Sequence, residues 1–90
     1  MQYSVIHAFA NPVRLKILCC LARGQKNVAE LIATCGLEQS AVSQHLSKLR
    51  HAGLVKNNRD GRFVYYRLAR PKAADLAKTI EAFIKDTKQL

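Results

Sequence analysis

The sequence reads NVAELIATCGLEQSAVSQHLSKLRHAGL over residues 27–54, and this stretch decides the fold. It contains two segments with apolar residues at helical spacing, separated by the short turn Gly36-Leu37-Glu38. The first segment begins at Asn27, which forms a capping-box pattern with Glu30, and the second runs from about Gln39 to Ala52. Two helices joined by a short turn that contains glycine are the signature of a helix-turn-helix motif.

Further helices are predicted on both sides of this motif. An apolar segment at Tyr3–Phe9 is expected to be helical. Asn11-Pro12 opens a second helix, because asparagine caps helices and proline is preorganised at the first helical position. A last helix opens at Arg70-Pro71 and carries a broad apolar stripe. Ninety residues with 49% hydrophobic content predict one domain with one modest core.

A hairpin is predicted between the helix-turn-helix and the last helix. Its strands are expected at Leu54–Asn58 and Phe63–Leu68, around a tight turn at Asp60-Gly61. A hairpin in this position is a wing. The predicted order is therefore α-α-α-α-β-β-α, a mainly α fold with a β-hairpin wing. We expect a single winged helix-turn-helix domain over residues 1–90.

The charge of the chain is strongly unbalanced and clustered. Fifteen Lys and Arg residues against six Asp and Glu residues give a net charge of +9. Between Gln44 and Lys72 there are eight basic residues and one acidic residue, Asp60. Such clustering indicates a polyanionic partner, either nucleic acid or an anionic membrane surface. The last helix mixes its lysines with three acidic residues, which is a poor pattern for membrane binding, so we expect double-stranded DNA and no membrane.

The second helix of the motif has the pattern of a DNA-reading helix. Its outward face is small and polar at first and then basic, and Gln44 is able to pair with adenine. The alternative is an ordinary solvated face, but no acidic residue follows Glu38 in this helix. Arg59 and Arg62 flank the predicted wing turn and suit a minor groove or phosphates, although an ordinary charged hairpin would look similar.

His45 is expected at the edge of the core or on a phosphate rather than on a base. The predicted DNA-binding residues are Gln39, Ser40, Ser43, Gln44, His45, Ser47, Lys48, His51, Arg59 and Arg62.

The first and last helices carry more apolar surface than one small domain should need. A discrete patch of this kind marks an interface, so we expect a homodimer built from residues 1–10 and 71–90. The predicted interface residues are Val5, Ile6, Phe9, Leu76, Ile80, Phe83 and Ile84.

Three cysteines without secretory spacing predict a reduced, cytoplasmic protein and no disulfide framework. Cys19 and Cys20 are neighbours on a helix and point about 100° apart, so they are not a natural chelate within one chain. Each is either a buried small hydrophobe or a reactive thiol. For Cys35 we expect core packing.

These features resemble those of the ArsR/SmtB family of bacterial metal- and redox-responsive repressors. The resemblance implies a homodimer formed by the first and last helices, and repression that an inducer relieves. It extends over nearly the whole chain, through the segments Asn11-Pro12-Val13-Arg14-Leu15, Ile17-Leu18, Val28-Ala29-Glu30-Leu31, Gln39-Ser40-Ala41-Val42-Ser43-Gln44-His45-Leu46, Leu49-Arg50, Ala52-Gly53-Leu54-Val55, Gly61-Arg62 and Tyr66-Arg67-Leu68.

The ligands of the two familiar metal sites of that family are missing from the sequence. One branch has cysteines before and within the first helix of the motif, where residues 25–30 read QKNVAE. Another uses histidines in the last helix, which here contains none, and carboxylates alone are poor ligands for zinc-like ions. We therefore expect no metal and no cofactor.

The redox- and sulfide-sensing branch of the family is the nearer one. Some of its members carry a cysteine where Cys19 stands and a second in the last helix, where this chain has Ile84-Lys85. The resemblance therefore implies a repressor released from DNA by a thiol-modifying or thiophilic inducer, acting at Cys19 and Cys20. The alternative is a winged-helix module that binds another protein and has no inducer site. An enzyme is not expected, because the sequence lacks a phosphate-binding loop and a nucleophile–base pair.

Overall fold

The structure is a computed structural model that describes residues 2–88. Over this range the chain forms five α-helices and three β-strands. In chain order these elements are α1 (Gln2–Phe9), α2 (Pro12–Leu21), β1 (Lys26–Asn27), α3 (Val28–Cys35), α4 (Gln39–His51), β2 (Val55–Asp60), β3 (Phe63–Leu68) and α5 (Pro71–Lys88).

Helix α2 lies at the centre of the molecule. It begins as predicted, because the Asn11 side chain accepts hydrogen bonds from the backbone N–H groups of Val13 and Arg14 at 2.9 and 3.0 Å, and Pro12 takes the first turn. Most of the surface of α2 is covered, because α1, α3, α4, α5 and β3 all pack against this helix. Its buried residues are Leu15, Ile17, Leu18, Cys19, Cys20 and Leu21.

The other elements complete a single core around α2. Each contributes a few apolar side chains, and burial of this area is the main favourable term in folding. The buried residues outside α2 are Ala8, Leu31, Cys35, Val42, Leu46, Leu49, Leu54, Val55, Ala73 and Ala77.

The helix-turn-helix motif is formed by α3 and α4, as predicted. The Asn27 side chain accepts from the Glu30 N–H at 2.8 Å, and the Glu30 carboxylate accepts from the Asn27 N–H at 2.9 Å, which completes the capping box. Gly36 ends α3 in the left-handed region at φ 68°, and its N–H donates to the carbonyl of Ile32 at 2.7 Å. The chain then turns and enters α4 at Gln39.

The wing is a hairpin of β2 and β3, with its turn one residue later than the sequence predicted. Asp60 pairs with Phe63 in the antiparallel ladder, so the two loop residues are Gly61-Arg62 and not Asp60-Gly61. Gly61 has a φ of 66°, and glycine at the first loop position is the pattern of a type II′ turn. The first strand accordingly covers Val55–Asp60 instead of the predicted Leu54–Asn58.

A third strand, β1, was not predicted. Lys26 pairs with Tyr66 and Asn27 pairs with Tyr65, which gives the antiparallel order β1-β3-β2. A strand of two residues is too short to show an alternating pattern, and the sequence indicates Asn27 only as a helix cap. The pairing matters because Asn27 joins the sheet of the wing to the beginning of α3.

Helix α5 completes the predicted winged helix-turn-helix fold. It packs on α2, with Ala73 and Ala77 buried. None of the helices within residues 2–88 has the combined length and apolar character that a membrane span needs.

The capping box provides a test of the fold. We expect Asn27→Ala to lower the free energy of unfolding by about 1 kcal/mol, because the N–H of Glu30 loses its acceptor at the start of α3. Urea titration at one fixed protein concentration measures this change. Asn58→Ala, at an exposed position in β2, is the matched control and should leave the midpoint nearly unchanged. Equal losses for the two variants would contradict a stabilising role for the cap.

Candidate nucleic-acid interface

Helix α4 presents to solvent the face that the sequence predicted. Val42, Leu46 and Leu49 are buried in the core, and this apolar stripe fixes the rotation of the helix. The opposite side carries the small and polar side chains expected for close approach to a groove. Of the predicted reading residues, Ser47 and His45 are partly buried, and the exposed ones are Gln39, Ser40, Ser43, Gln44, Lys48 and His51.

His45 lies at the edge of the core, where it contacts Arg14. Its Nδ1 lies 3.3 Å from Nη1 of Arg14, and because a guanidinium only donates, Nδ1 is the acceptor. Burial lowers the pKa of His45, and the charges of Arg14 and Lys48 lower it further. His45 is therefore neutral near pH 7, which is the form that this hydrogen bond requires.

Arg14 connects three helices, a role that the sequence pattern does not predict. From α2 its guanidinium donates to the carbonyls of His7 and Ala8 in α1, at 2.8 and 3.4 Å, and it also reaches His45 in α4. One feature of the sequence is consistent with this role. Arg14 lies in the first turn of α2, and long side chains in a helix point back towards its N-terminus, here towards α1.

A basic groove of about 320 Å³ opens beside Arg14 and the second half of α4. It is lined by His7, Arg14, Lys48 and His51 together with two alanines, and no acidic side chain is among these lining residues. His51 is held in place because its Nδ1–H donates to the carbonyl of Ser47 at 2.8 Å. The basic surface therefore continues from α4 onto α1 and α2.

The tip of the wing is basic and partly apolar. Arg59 lies on β2 opposite Val64, whereas Arg62 is in the turn itself and not beside it as predicted. Both arginines are exposed. Phe63 follows with 48% of its side chain exposed, and its ring centroid lies 6.3 Å from that of Tyr65. The wing thus offers two exposed cations and a half-exposed aromatic ring.

Helix α5 leaves three of its large apolar residues exposed. Ala73 and Ala77 are buried, while Leu76, Phe83 and Ile84 are 46%, 71% and 39% exposed. In α1, Val5 and Ile6 are 37% and 62% exposed.

The two remaining predicted interface residues, Phe9 and Ile80, are partly buried and pack against the core of their own chain. Helices α1 and α5 coincide with the predicted dimerisation segments, of which residues 1, 89 and 90 lie outside the described residues.

The three cysteines are free thiols in the core. The thiol of Cys19 donates to the carbonyl of Ala77 in α5 at 3.6 Å, whereas Sγ of Cys20 lies 3.1 Å from Sγ of Cys35 in α3. The neighbouring cysteines of α2 thus face different helices, in keeping with the angle between adjacent helical positions. Cys35 packs in the core, as expected, but its contact with Cys20 was not foreseen from the sequence.

Burial governs the ionisation of these thiols. Burial first and Glu81 second raise the pKa of Cys19 to about 11. Burial and the contact with Cys20 raise the pKa of Cys35 above its usual value. In the part of the chain that the structure describes, no three His, Cys, Asp or Glu side chains come together as metal ligands.

Comparison with known proteins gives consistent matches. A family described as "Bacterial regulatory protein, arsR family" matches residues 11–57. The "Biofilm growth-associated repressor" of Agrobacterium fabrum (strain C58 / ATCC 33970) is 40% identical over 78 residues, which cover 87% of this chain and 67% of the relative.

Solved structures agree with that match. HlyU from Vibrio cholerae N16961 superposes with a TM-score of 0.81 at 34% identity, covering 91% of this chain and 89% of that one. The homodimeric winged helix-turn-helix DNA-binding domain of Mb0332 from Mycobacterium bovis superposes with a TM-score of 0.82 at 31% identity, covering 97% of this chain and 81% of that one.

These relatives are transcriptional regulators and not enzymes, and the two solved structures share the fold described above. The chain belongs to the arsR family of bacterial regulatory proteins, which are DNA-binding winged helix-turn-helix proteins.

Proposed function

We propose that this protein is a cytoplasmic, homodimeric repressor that binds a specific DNA sequence and is released by a thiol-modifying or thiophilic inducer. The observation that carries the proposal is the division of α4, whose apolar stripe is buried while its polar and basic side faces solvent. The relative from Agrobacterium fabrum, which is named a repressor, supports the sign of the regulation.

In this proposal α4 enters the major groove. Ser43 and Gln44, in the first half of the helix, face base edges, because the early residues of a recognition helix reach deepest. An exposed glutamine can bind adenine through two hydrogen bonds. The basic groove at Lys48 and His51 then meets the DNA backbone, and the wing arginines meet the adjacent minor groove or its phosphates.

The exposed residues of α1 and α5 form the proposed dimer interface. Phe83, with 71% of its side chain exposed, is the largest apolar group without cover in this part of the chain. Apolar patches of this kind mark interfaces, and a two-fold axis through them presents two reading helices. Such helices meet successive major grooves when they lie about 34 Å apart. The homodimeric Mb0332 domain supports this arrangement.

Release through thiols is proposed because of where the cysteines lie. Cys19 contacts α5 through the Ala77 carbonyl, so a group added to its sulfur would separate α2 from a dimer helix. Extra bulk in a packed layer costs about 1–3 kcal/mol, and 1.4 kcal/mol corresponds to about a tenfold loss of affinity. Cys20 faces α3, so a modification there would act on the helix-turn-helix motif.

The division of labour between helix and wing can be measured. We expect Ser43→Ala and Gln44→Ala to reduce the preference for a duplex selected by the protein from a random pool, with about tenfold weaker binding for Gln44→Ala. Arg62→Ala should weaken binding to all duplexes and lower the salt slope by about one unit. Titrations at several salt concentrations measure both effects, and Arg23→Ala, at an exposed position just after α2, is the matched control.

Equal losses on the selected and the random duplex for all three changes would contradict groove reading by α4. If the affinity of the wild type for DNA did not depend on salt, a module that binds another protein would be favoured instead.

The dimer interface gives a second prediction. Phe83→Asp should shift the wild-type dimer to a monomer, because it places a charge in an apolar contact. Sedimentation at several protein concentrations measures this shift. Ala82→Asp, at an exposed position of the same helix that points about 100° away from Phe83, is the control that adds the same charge. A monomeric wild type at high micromolar concentration would overturn the dimer.

The environment of Cys19 predicts a slow reaction. Its pKa of about 11 against an ordinary 9.0 gives about a hundredfold lower thiolate fraction at pH 8, and the thiolate is the nucleophile. Iodoacetamide should therefore label Cys19 about a hundredfold more slowly in the folded protein than in urea, and the rate should rise as the pH approaches 11.

Glu81→Gln removes a neighbouring negative charge, lowers the pKa of Cys19 and should speed its labelling severalfold. Asp75→Asn, at an exposed position of the same helix, is the control. Peptide mapping after timed labelling measures the rates, and fast labelling of wild-type Cys19 at pH 7 would show that its thiol is not held in the neutral form.

A further inference from the structure

Cys20 and Cys35 form a contact between α2 and α3 that the sequence pattern does not predict. Cys20 is the second-last residue of α2, and Cys35 is the last residue of α3, the first helix of the helix-turn-helix motif. Their sulfur atoms are 3.1 Å apart and both side chains are buried. We propose that Cys20 and Cys35 form a reversible disulfide that locks α3 to α2.

The geometry favours this pair over the other pairings. A disulfide has a sulfur–sulfur distance of about 2.05 Å, so the two sulfur atoms have to approach by only about 1 Å. Cys19 does not compete for either partner, because its thiol is directed to the Ala77 carbonyl on α5. Fifteen positions separate Cys20 from Cys35, so the link would close a short loop that contains β1 and all of α3.

The chemistry needs a two-electron oxidant, for which we name a hydroperoxide. The thiolate of one cysteine attacks the peroxide, the O–O bond breaks, and the sulfur becomes a sulfenic acid while an alcohol or water leaves. The second thiol then attacks that sulfur, the S–S bond forms, and the hydroxyl group leaves as water with the proton of the second thiol. Two thiols and one hydroperoxide thus give one disulfide, one alcohol or water, and one further water.

Access to the pair is at the end of α3. Cys35 stands next to Gly36, where the helix stops, and helix ends open locally more readily than helix centres. The burial that raises the pKa of Cys35 keeps its thiolate scarce, although Lys16 and Lys26 favour the charged form. The pair is therefore suited to sustained oxidation and resists brief exposure.

The link would act on the DNA-reading unit, a consequence that rests on the proposed function. Helix α3 packs on α4, and α2 packs on α5, so a bond between α2 and α3 fastens the reading unit to the dimer helix. Shortening the contact would shift the end of α3, next to the turn that leads into α4. We expect oxidised protein to bind the selected duplex about tenfold more weakly than reduced protein.

The test treats the full chain with hydrogen peroxide, with dithiothreitol as the reversing agent, and reads the chemistry separately from the binding. Intact mass should fall by two hydrogen atoms, and peptide mapping should recover Cys20 linked to Cys35. The thermal midpoint should rise by several degrees, because the link restricts the unfolded chain. Binding to the selected duplex is titrated on the same samples.

The variants separate this pair from Cys19. Cys19→Ser should form the link and lose DNA affinity as the wild type does, whereas Cys35→Ala and Cys20→Ala should do neither. Alanine keeps the core apolar, and circular dichroism confirms that the variants fold; the wild-type mapping decides the chemistry in any case. A link that involves Cys19, a link between chains, or no link at all would overturn the proposal.

Two further outcomes distinguish this proposal from the proposed function. A Cys20–Cys35 link that leaves DNA affinity unchanged would overturn the regulatory role of the pair while the repressor stands. Reduced protein without any sequence preference on DNA would overturn the proposed function, and the mass and mapping results would still decide whether the disulfide forms.

Discussion

The burial of α2 is the constraint on which the rest of the structure depends. Six of its ten residues are buried, and the described residues form a single hydrophobic core around it. Every other helix therefore packs one face against α2, and the choice of that face determines which of its residues remain exposed to solvent. The polar side of α4 and the large apolar residues of α5 are the two faces that remain, one suited to DNA and the other to a second chain.

Side chains of α2 make direct contacts with each of the other helices. Arg14 reaches from α2 to α1 and to His45 on the reading helix, while Cys19 touches α5 and Cys20 touches α3. Helix α2 is therefore in direct contact with the helices that carry both exposed faces. All three cysteines are buried, so a modification of any of them would have to be accommodated by the packing of the core.

Much of the fold followed from local signals. Asn11-Pro12, the Asn27–Glu30 box and Gly36 each act within a few residues, so the helix limits of the motif were predictable. Contacts between residues far apart in the sequence were not predictable. Strand β1 is two residues long, and its role depends on Tyr65–Tyr66, about forty residues away. The Cys20–Cys35 and Arg14–His45 contacts depend on how helices rotate against each other, which periodicity does not specify. Exposure of the reading face was predictable, because a buried apolar stripe leaves only one opposite side.

Strand β1 also gives the wing a fastened base and a free end. Asn27 holds β3 at Tyr65 while capping α3, and beyond Asn58, the partner of Tyr65 in β2, the two strands are held by each other alone. Residues can be added to or lost from the tip without disturbing the cap or the core, provided that the change keeps the alternation of faces along each strand. The tip is thus the part of the molecule whose length can change while the interior stays the same.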